Sequence, residues 1–186
     1  MGKLIYSLNV SLDGFIETPD HSLDWAIVDD EVHQWFNDQT RTVDASLYGR
    51  RMYELMAAYW PTGEEDPAAT EVTREFARIW NPLPKVVFSR SLDHVDHNAR
   101  LVRGDVSEVL KALRTEFDGD LDVSGADLAG QFVRRGLVDE YRLMVHPVVL
   151  GTGTPFWPML DGPLRLRLTE TKWFASGATL LSYAAA

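Results

Sequence analysis

Apolar positions along this chain follow two periods. Short runs of strand length alternate with stretches whose apolar residues recur at three and four positions, and this β/α alternation fills the first two-thirds of the sequence. Leu4 to Val10 is expected as the first strand, closed by Ser11-Leu12-Asp13-Gly14, and a polar loop runs from Glu17 to Leu23. A helix follows from Asp29 to Thr40, with Asp29, Asp30 and Glu31 in its first turn and Val28, Val32, Trp35 and Phe36 on its core face. Ala45 to Tyr48 is a strand leading through Gly49-Arg50-Arg51 into a helix from Met52 to Ala58, and Pro61 to Pro67 is an acidic loop. Thr70 to Trp80 is an amphipathic helix stopped by Asn81-Pro82, and Lys85 to Ser89 and Ala99 to Val102 are strands. Asp105, with Glu108 at the third position, caps a helix carried by Val106, Val109, Leu110, Leu113 and Phe117.

The next stretch is the most densely organised. A strand from Leu121 to Ser124 turns at Gly125 into a helix from Asp127 to Arg135, which Gly136 stops in a left-handed conformation. A long apolar strand, Val138 to Leu150, follows. After it the period changes to two: Leu164, Leu166 and Leu168 alternate with polar residues, Ser176-Gly177 turns, and Thr179 to Tyr183 returns as a hairpin. The fold class is therefore α/β, a mostly parallel sheet flanked by helices with an antiparallel C-terminal hairpin, in a single domain over 1–186.

Composition narrows the function. A net charge of -10 disfavours nucleic-acid or anionic-membrane binding, and the absence of cysteine removes disulfides, thiolate metal sites and cysteine nucleophiles. No apolar run approaches a membrane span and the N-terminal stretch lacks a signal-peptide pattern, so a cytoplasmic protein is expected. Six tryptophans and the apolar late strand, in so acidic a chain, point to a homodimer. No metal site is expected: His94 and His97 lie in a loop without ligand spacing, and His146 before Pro147 reads as a core histidine. Gly151-Thr152-Gly153 and Gly125 to Gly130 begin like nucleotide loops, but Phe156 and Gln131-Phe132 stand where those motifs need glycine or Lys-Ser/Thr.

What remains is a pattern at strand ends. Gly49-Arg50-Arg51, Ser89-Arg90 and Ser124-Gly125-Ala126 each follow a strand, where open α/β sheets bind ligands, and each carries phosphate-compatible groups. In an acidic protein these three ends point to one anionic ligand.

Taken with Ser11 to Gly14, Gly49 to Glu54, Val87 to Arg90, Ser124 to Leu128 and Leu150 to Phe156, the set resembles the dihydrofolate reductase superfamily, spread in order over nearly the whole chain. Within it the chain is similar to stand-alone relatives of the reductase domain (RibD C-terminal domain) of the riboflavin-biosynthesis deaminase-reductase. The resemblance implies a dihydrofolate reductase-like sheet binding NADPH, with Gly49, Arg50, Arg51 and Met52 at one helix start and Gly125, Ala126, Asp127 and Leu128 at another holding the pyrophosphate. It implies Ser89 and Arg90 at the adenosine 2′-phosphate, and Asp13 and Gly14 beside nicotinamide and substrate. Met52 stands where the family has Thr, and Val32 where a folate reductase has its acid, which disfavours dihydrofolate. The segment after the SLDG motif, Phe15 to Asp20, is apolar and acidic, which argues against a ribose phosphate.

Two functions follow. One is hydride transfer from NADPH to a small pterin- or pyrimidine-like heterocycle, akin by resemblance to 5-amino-6-(5-phosphoribosylamino)uracil reductase. The other is a catalytically idle nucleotide-binding or scaffold protein on the same fold. Asp13, at a strand's carboxyl end, and Glu31, on the helix that carries the acid in folate reductases, are the candidate proton donors.

Overall fold

The computed structural model describes residues 2–186. Its ten strands are β1 (Leu4–Ser11), β2 (Phe15–Glu17), β3 (Val43–Gly49), β4 (Lys85–Phe88), β5 (Ala99–Val102), β6 (Asp120–Ser124), β7 (Glu140–His146), β8 (Thr154–Pro155), β9 (Leu166–Trp173) and β10 (Thr179–Ala185). Its α-helices are α1 (Asp30–Thr40), α2 (Arg50–Tyr59), α3 (Glu71–Trp80), α4 (Val106–Glu116) and α5 (Ala126–Arg134). Eight strands form one sheet in the order β5-β4-β3-β6-β1-β7-β10-β9, parallel from β5 to β7 and antiparallel across β7-β10-β9. This is a mostly parallel sheet flanked by helices with a C-terminal hairpin. Among the described residues, no helix is long and apolar enough to cross a membrane.

The two faces of the sheet differ in kind. Leu4, Tyr6 and Val10 of β1, Ala45 and Leu47 of β3, and Leu121 and Val123 of β6 project to one side, where α4 and α5 cover them with Leu110, Leu113, Leu128 and Phe132. Strand geometry sends the alternate residues to the other face. There α1 packs Val32 and Trp35 on Met144 and Leu180, while α2 and α3 pack Tyr53, Phe76 and Trp80 on Tyr48 and Val87. Between those two clusters the second face turns polar, and this gap holds the site described below.

Helix ends follow local chemistry. Side chains cap α1, α3 and α4: Asp29 accepts from Val32 N–H, Thr70 from Thr73 N–H, and Asp105 from Ser107 N–H. At the far end of α5, Gly136 takes φ 64° and Leu137 N–H bonds back to Phe132 C=O, the left-handed stop its glycine predicts. Between α3 and β4 the buried Lys85 ammonium donates to the carbonyls of Asn81, Leu83 and His97 and lies 3.9 Å from the Trp80 ring centroid. That gives a buried cation a structural use.

Three expectations need correction. The strand expected over Val138 to Leu150 is β7, which ends at His146. Pro147 has no N–H, and the following backbone bonds elsewhere: Leu12 N–H donates to Val148 C=O, and the Asp13 carboxylate accepts from Leu150 and Gly151. The first strand of the hairpin begins at Leu166 and continues to Trp173, beyond the leucine alternation. The loop expected from Glu17 to Leu23 begins one residue later, because Glu17 belongs to β2, which pairs antiparallel with β8 in a separate two-stranded sheet. A methyl group on Gly153 would lie 2.0 Å from Glu17 C=O, so only glycine permits the two strands to approach this closely.

Candidate functional site

The carboxyl ends of β4, β3 and β6 are neighbours. Tyr48 lies opposite Ser124 across β3 and β6, and Gly49 opposite Phe88 across β3 and β4. The helices leaving two of these ends, α2 and α5, differ from the other three in having no side-chain cap: Gly49 and Gly125 occupy the cap positions. Their first-turn N–H groups are thus left for a ligand to satisfy. The two starts also touch. A methyl on Gly125, whose φ is 96°, would lie 3.4 Å from Met52 Cβ, and one on Gly49 would lie 3.6 Å from Leu128 Cβ.

The two arginines at the start of α2 point to different tasks. Arg51 pairs with the Glu17 carboxylate, which also accepts from Thr154 and contacts His21, 3.0 Å away. Arg51 thereby ties the β2–β8 flap to α2. Arg50 makes only long contacts, 3.4 Å to Ser91 Oγ and 3.8 Å to Glu54, and leans toward the end of β4. There a polar cavity of about 320 Å³ opens, lined by Ser89, Arg90, Arg103, Val106, Leu128 and Gln131 among others. The Ser89 hydroxyl accepts from Ser91 and Leu92 N–H and shapes the turn, and Arg103 donates to Leu92 C=O at 2.5 Å.

A second cavity, about 290 Å³, lies on the polar face of the sheet under α1 and α2. Its walls are apolar: Val28 and Phe36 from α1 and the segment before it, Met52, Leu55, Met56 and Trp60 from α2, and Phe76 from α3. Its floor is polar, made by Ser7, Asn9, Ser46, Asp122, Ser124 and Arg142. Asp122 sits at the centre of the sheet, opposite Ile5 on one side and Ser46 on the other. Ser46 donates to one carboxyl oxygen and Ser124, at 3.4 Å, to the other. Burial pushes the Asp122 carboxyl up to about 6, against the opposing pull of those hydroxyls and of Arg142. Arg142 is already engaged, donating to Glu140 at 2.6 Å and to Gln39 at 2.5 Å. His33 also lines the cavity, and burial holds it below the usual imidazole value, so it is neutral at neutral pH.

The residues singled out in the sequence fall in three groups. Gly49, Arg50, Met52, Gly125, Ala126, Asp127 and Leu128 converge on the paired helix starts, with Leu128 buried and lining the polar cavity and Met52 in the wall of the apolar one. Ser89 and Arg90 line the polar cavity, while Arg51 is turned to Glu17. The two candidate proton donors lie elsewhere, and neither lines a cavity described above. The Ser11 hydroxyl together with Leu150 and Gly151 N–H holds the Asp13 carboxyl below the usual carboxylate range, so it is an ionised clamp between loops. Glu31 accepts from Ala175 N–H and ties α1 to the hairpin turn. The acid on the cavity floor is Asp122. Its signal was the alternation Asp120, Asp122, Ser124, polar positions at period two inside a short central strand. Arg103 also belongs to the polar cavity; it directly follows β5 as Ser89 and Arg90 follow β4, and that strand-end position was its signal.

With the geometry in hand, comparison with known proteins adds the lineage. The profile of the family described as RibD C-terminal domain matches residues 2–181. The chain is 34% identical over 182 residues to the uncharacterized protein YyaP of Bacillus subtilis, covering 97% of this chain and 94% of that one. Among solved structures it resembles a putative riboflavin biosynthesis protein from Shewanella sp. PV-4, with TM-score 0.78, 20% identity and 99% of each chain covered. It also resembles the diaminohydroxyphosphoribosylaminopyrimidine deaminase/5-amino-6-(5-phosphoribosylamino)uracil reductase of Thermotoga maritima, with TM-score 0.68 and 14% identity over 100% of this chain and 57% of that one.

Proposed function

The chain belongs to the RibD C-terminal domain family, and from that premise we propose that it is an NADPH-dependent reductase of a small pterin- or pyrimidine-like heterocycle other than dihydrofolate. The observation that carries this reading is the pair of uncapped glycine helix starts meeting between a polar, basic cavity and an apolar one.

The residues fit a phosphorylated dinucleotide. N–H groups from Gly49 to Met52 and from Gly125 to Leu128 suit a pyrophosphate, because two helix dipoles end there with no side chain competing for the donors. Arg50, Ser89, Arg90 and Arg103 gather basic and hydroxyl groups around the polar cavity, as an adenosine 2′-phosphate requires. When bound, the reduced nicotinamide supplies a hydride. This chain's own residues orient the partners and exclude water. Apolar walls from α1, α2 and α3 dry the second cavity, the Asp13 clamp fixes the loop after β1, and the Arg51–Glu17 pair fixes the flap. Asp122 places a titratable group on the cavity floor, which favours catalysis over an idle binder.

Fluorescence titration of NADPH and NADH, followed by NADPH oxidation across a panel of pterins and pyrimidines, tests the reading. Saturable NADPH binding, tighter than NADH, with turnover of one panel class is expected. Binding without turnover on any member would favour the idle nucleotide-binding protein, and no binding of either dinucleotide would end the reductase reading.

A further inference from the structure

We propose that the cavity over Asp122 takes a phosphate-free, planar nitrogen heterocycle that lays an amidine-like N–H edge on the Asp122 carboxylate. The reductase reading is needed only to call that molecule the substrate; the site itself stands on the cavity.

The first argument is polarity. Among the described residues lining this cavity there is one carboxyl, Asp122, and one guanidinium, Arg142, and no lysine. Arg142 donates through Nε to Glu140 and through Nη1 to Gln39, so its charge is already balanced by Glu140, and a phosphate on the ligand would face the Asp122 carboxylate. A ligand that carried a phosphate would be desolvated there beside a like charge. The second argument is geometry. Ser46 and Ser124 each bond a different oxygen of Asp122, which fixes the carboxyl plane and leaves a lone-pair site on each oxygen free. Two parallel N–H groups match such a fork, and an amidine edge presents them. The third argument is shape. About 290 Å³ between Phe36, Met56, Trp60 and Phe76 suits a planar ring with little attached, since the wall above the acid is mostly apolar and its polar members, His33, Gln39 and Thr40, carry no charge.

The charged and titratable surroundings are consistent with this from every side. β3 offers Ser46 and the phenol of Tyr48, which burial holds neutral; β1 offers Ser7 and Asn9; β7 offers the committed Arg142. From the helices come a neutral His33 and Gln39 on α1 and only apolar residues on α2. Asp122 is thus the group whose charge a ligand in this cavity meets. Above its titration near 6 it is a carboxylate and pairs with the edge.

The test is isothermal titration calorimetry on the cofactor-free protein with benzamidine, benzamide and phenyl phosphate, using wild type, Asp122→Asn and Ser46→Ala. Benzamidine should bind wild type at pH 7.5 about tenfold or more tighter than benzamide, the scale of one charge-assisted pair. That affinity should fall about tenfold by pH 5 as Asp122 takes up a proton, and phenyl phosphate should not displace benzamidine, whatever heat it gives at the basic cavity beyond β4. Asp122→Asn should erase both the benzamidine preference and its pH dependence. Should that variant not fold, Ser46→Ala retains the acid while removing a donor that favours its ionised form, so the pH midpoint should move upward. Unchanged benzamidine binding in Asp122→Asn, an unmoved midpoint in Ser46→Ala, or displacement of benzamidine by equimolar phenyl phosphate would each overturn the proposal. Because no dinucleotide is present, loss of NADPH binding would remove the reductase reading alone, and loss of benzamidine binding this proposal alone.

Discussion

Replacing Asp122 by Asn should make the protein more stable at neutral pH and leave it about as stable in acid. The carboxyl titrates near 6 in the folded chain because it is buried, against about 3.9 in an unfolded one. An acid whose value is raised on folding stabilises the fold fully below the unfolded value and loses that contribution as the pH rises toward the folded value. The window is therefore about pH 4 to 6, and above it the ionised carboxylate costs roughly 3 kcal/mol. Asn removes that penalty. Its amide nitrogen donates where the second carboxyl oxygen accepted, so Ser46 or Ser124 must turn its hydroxyl to accept, at up to about 1 kcal/mol. The net expectation at pH 7.5 is a gain of about 1–2 kcal/mol, with the melting temperature rising by about 2–4 °C for each kcal/mol in a chain of this size. At pH 4 the wild-type acid is protonated, the penalty is gone, and the carboxyl offers the serines one donor and one acceptor as Asn does, so the two proteins should agree to within about 1 kcal/mol. Urea unfolding followed by circular dichroism at both pH values measures the difference. A variant less stable than wild type at pH 7.5, or an offset of the same sign and size at both, would refute the reasoning. A site residue retained at a stability cost is what a functional acid predicts.

Arg50→Ala should weaken NADPH about 10- to 150-fold while weakening NADH far less, because a charge-assisted bond to the 2′-phosphate contributes roughly 1.5–3 kcal/mol; equal losses in a fluorescence titration would instead put Arg50 at the shared pyrophosphate. Gly125→Ala should lose about 1–2 kcal/mol in urea unfolding from its φ of 96° and also weaken both dinucleotides, since the methyl would enter the gap beside Met52; normal cofactor affinity would remove the cradle. Burial pushes the Glu17 carboxyl up, yet bonds from Thr154, Arg51 and His21 hold it below the usual range, so its contribution is present above about pH 4.3 and lost as the pH falls below that. Limited proteolysis should accordingly cut the flap faster in acid, and Glu17→Gln should show fast cutting already at pH 7; a flap equally protected in both would exclude the latch. The edge strand β9 is exposed along its length and carries Leu168 and a Trp173 that is 79% exposed, so we expect a homodimer formed on it. Light scattering should give a dimer for wild type and a monomer for Trp173→Asp, and a wild-type monomer at micromolar concentration would exclude it.

The architecture was legible wherever one element could bury itself by its own pattern. Val72, Phe76 and Trp80 recur at helical spacing and are the buried face of α3; Asp105 caps α4; Gly136 stops α5. Local rules decide such features, and the parallel sheet follows from their alternation. Illegible features depend on partners far away in sequence. That β7 ends at His146 depends on Pro147 and on Asp13, whose carboxylate holds Gly151 N–H from 138 positions away. The pairing of β2 with β8 rests on contacts of the same range. The same distance effect explains the candidate donors: Asp13 looked like an acid at a strand end, and only the returning loop shows that its oxygens are already taken.

The cavity over Asp122 was harder to see because its signal is spread over strands that are not consecutive. A parallel strand covered on both faces is ordinarily apolar throughout. Here Ser7 and Asn9 in β1, Ser46 in β3 and Arg142 in β7 are scattered among apolar residues, and the alternating Asp122 and Ser124 of β6 read as the outer face of a half-exposed strand. The strand order β3-β6-β1-β7 sets them side by side, and the period of two sends them all to the face left open between α1 and α2. A sheet that buried such a face against helices would leave Asp122 desolvated with no return in packing. The polar row is stable because a cavity lies over it, and the walls that enclose that cavity raise the Asp122 titration by burial while leaving it within reach of a ligand.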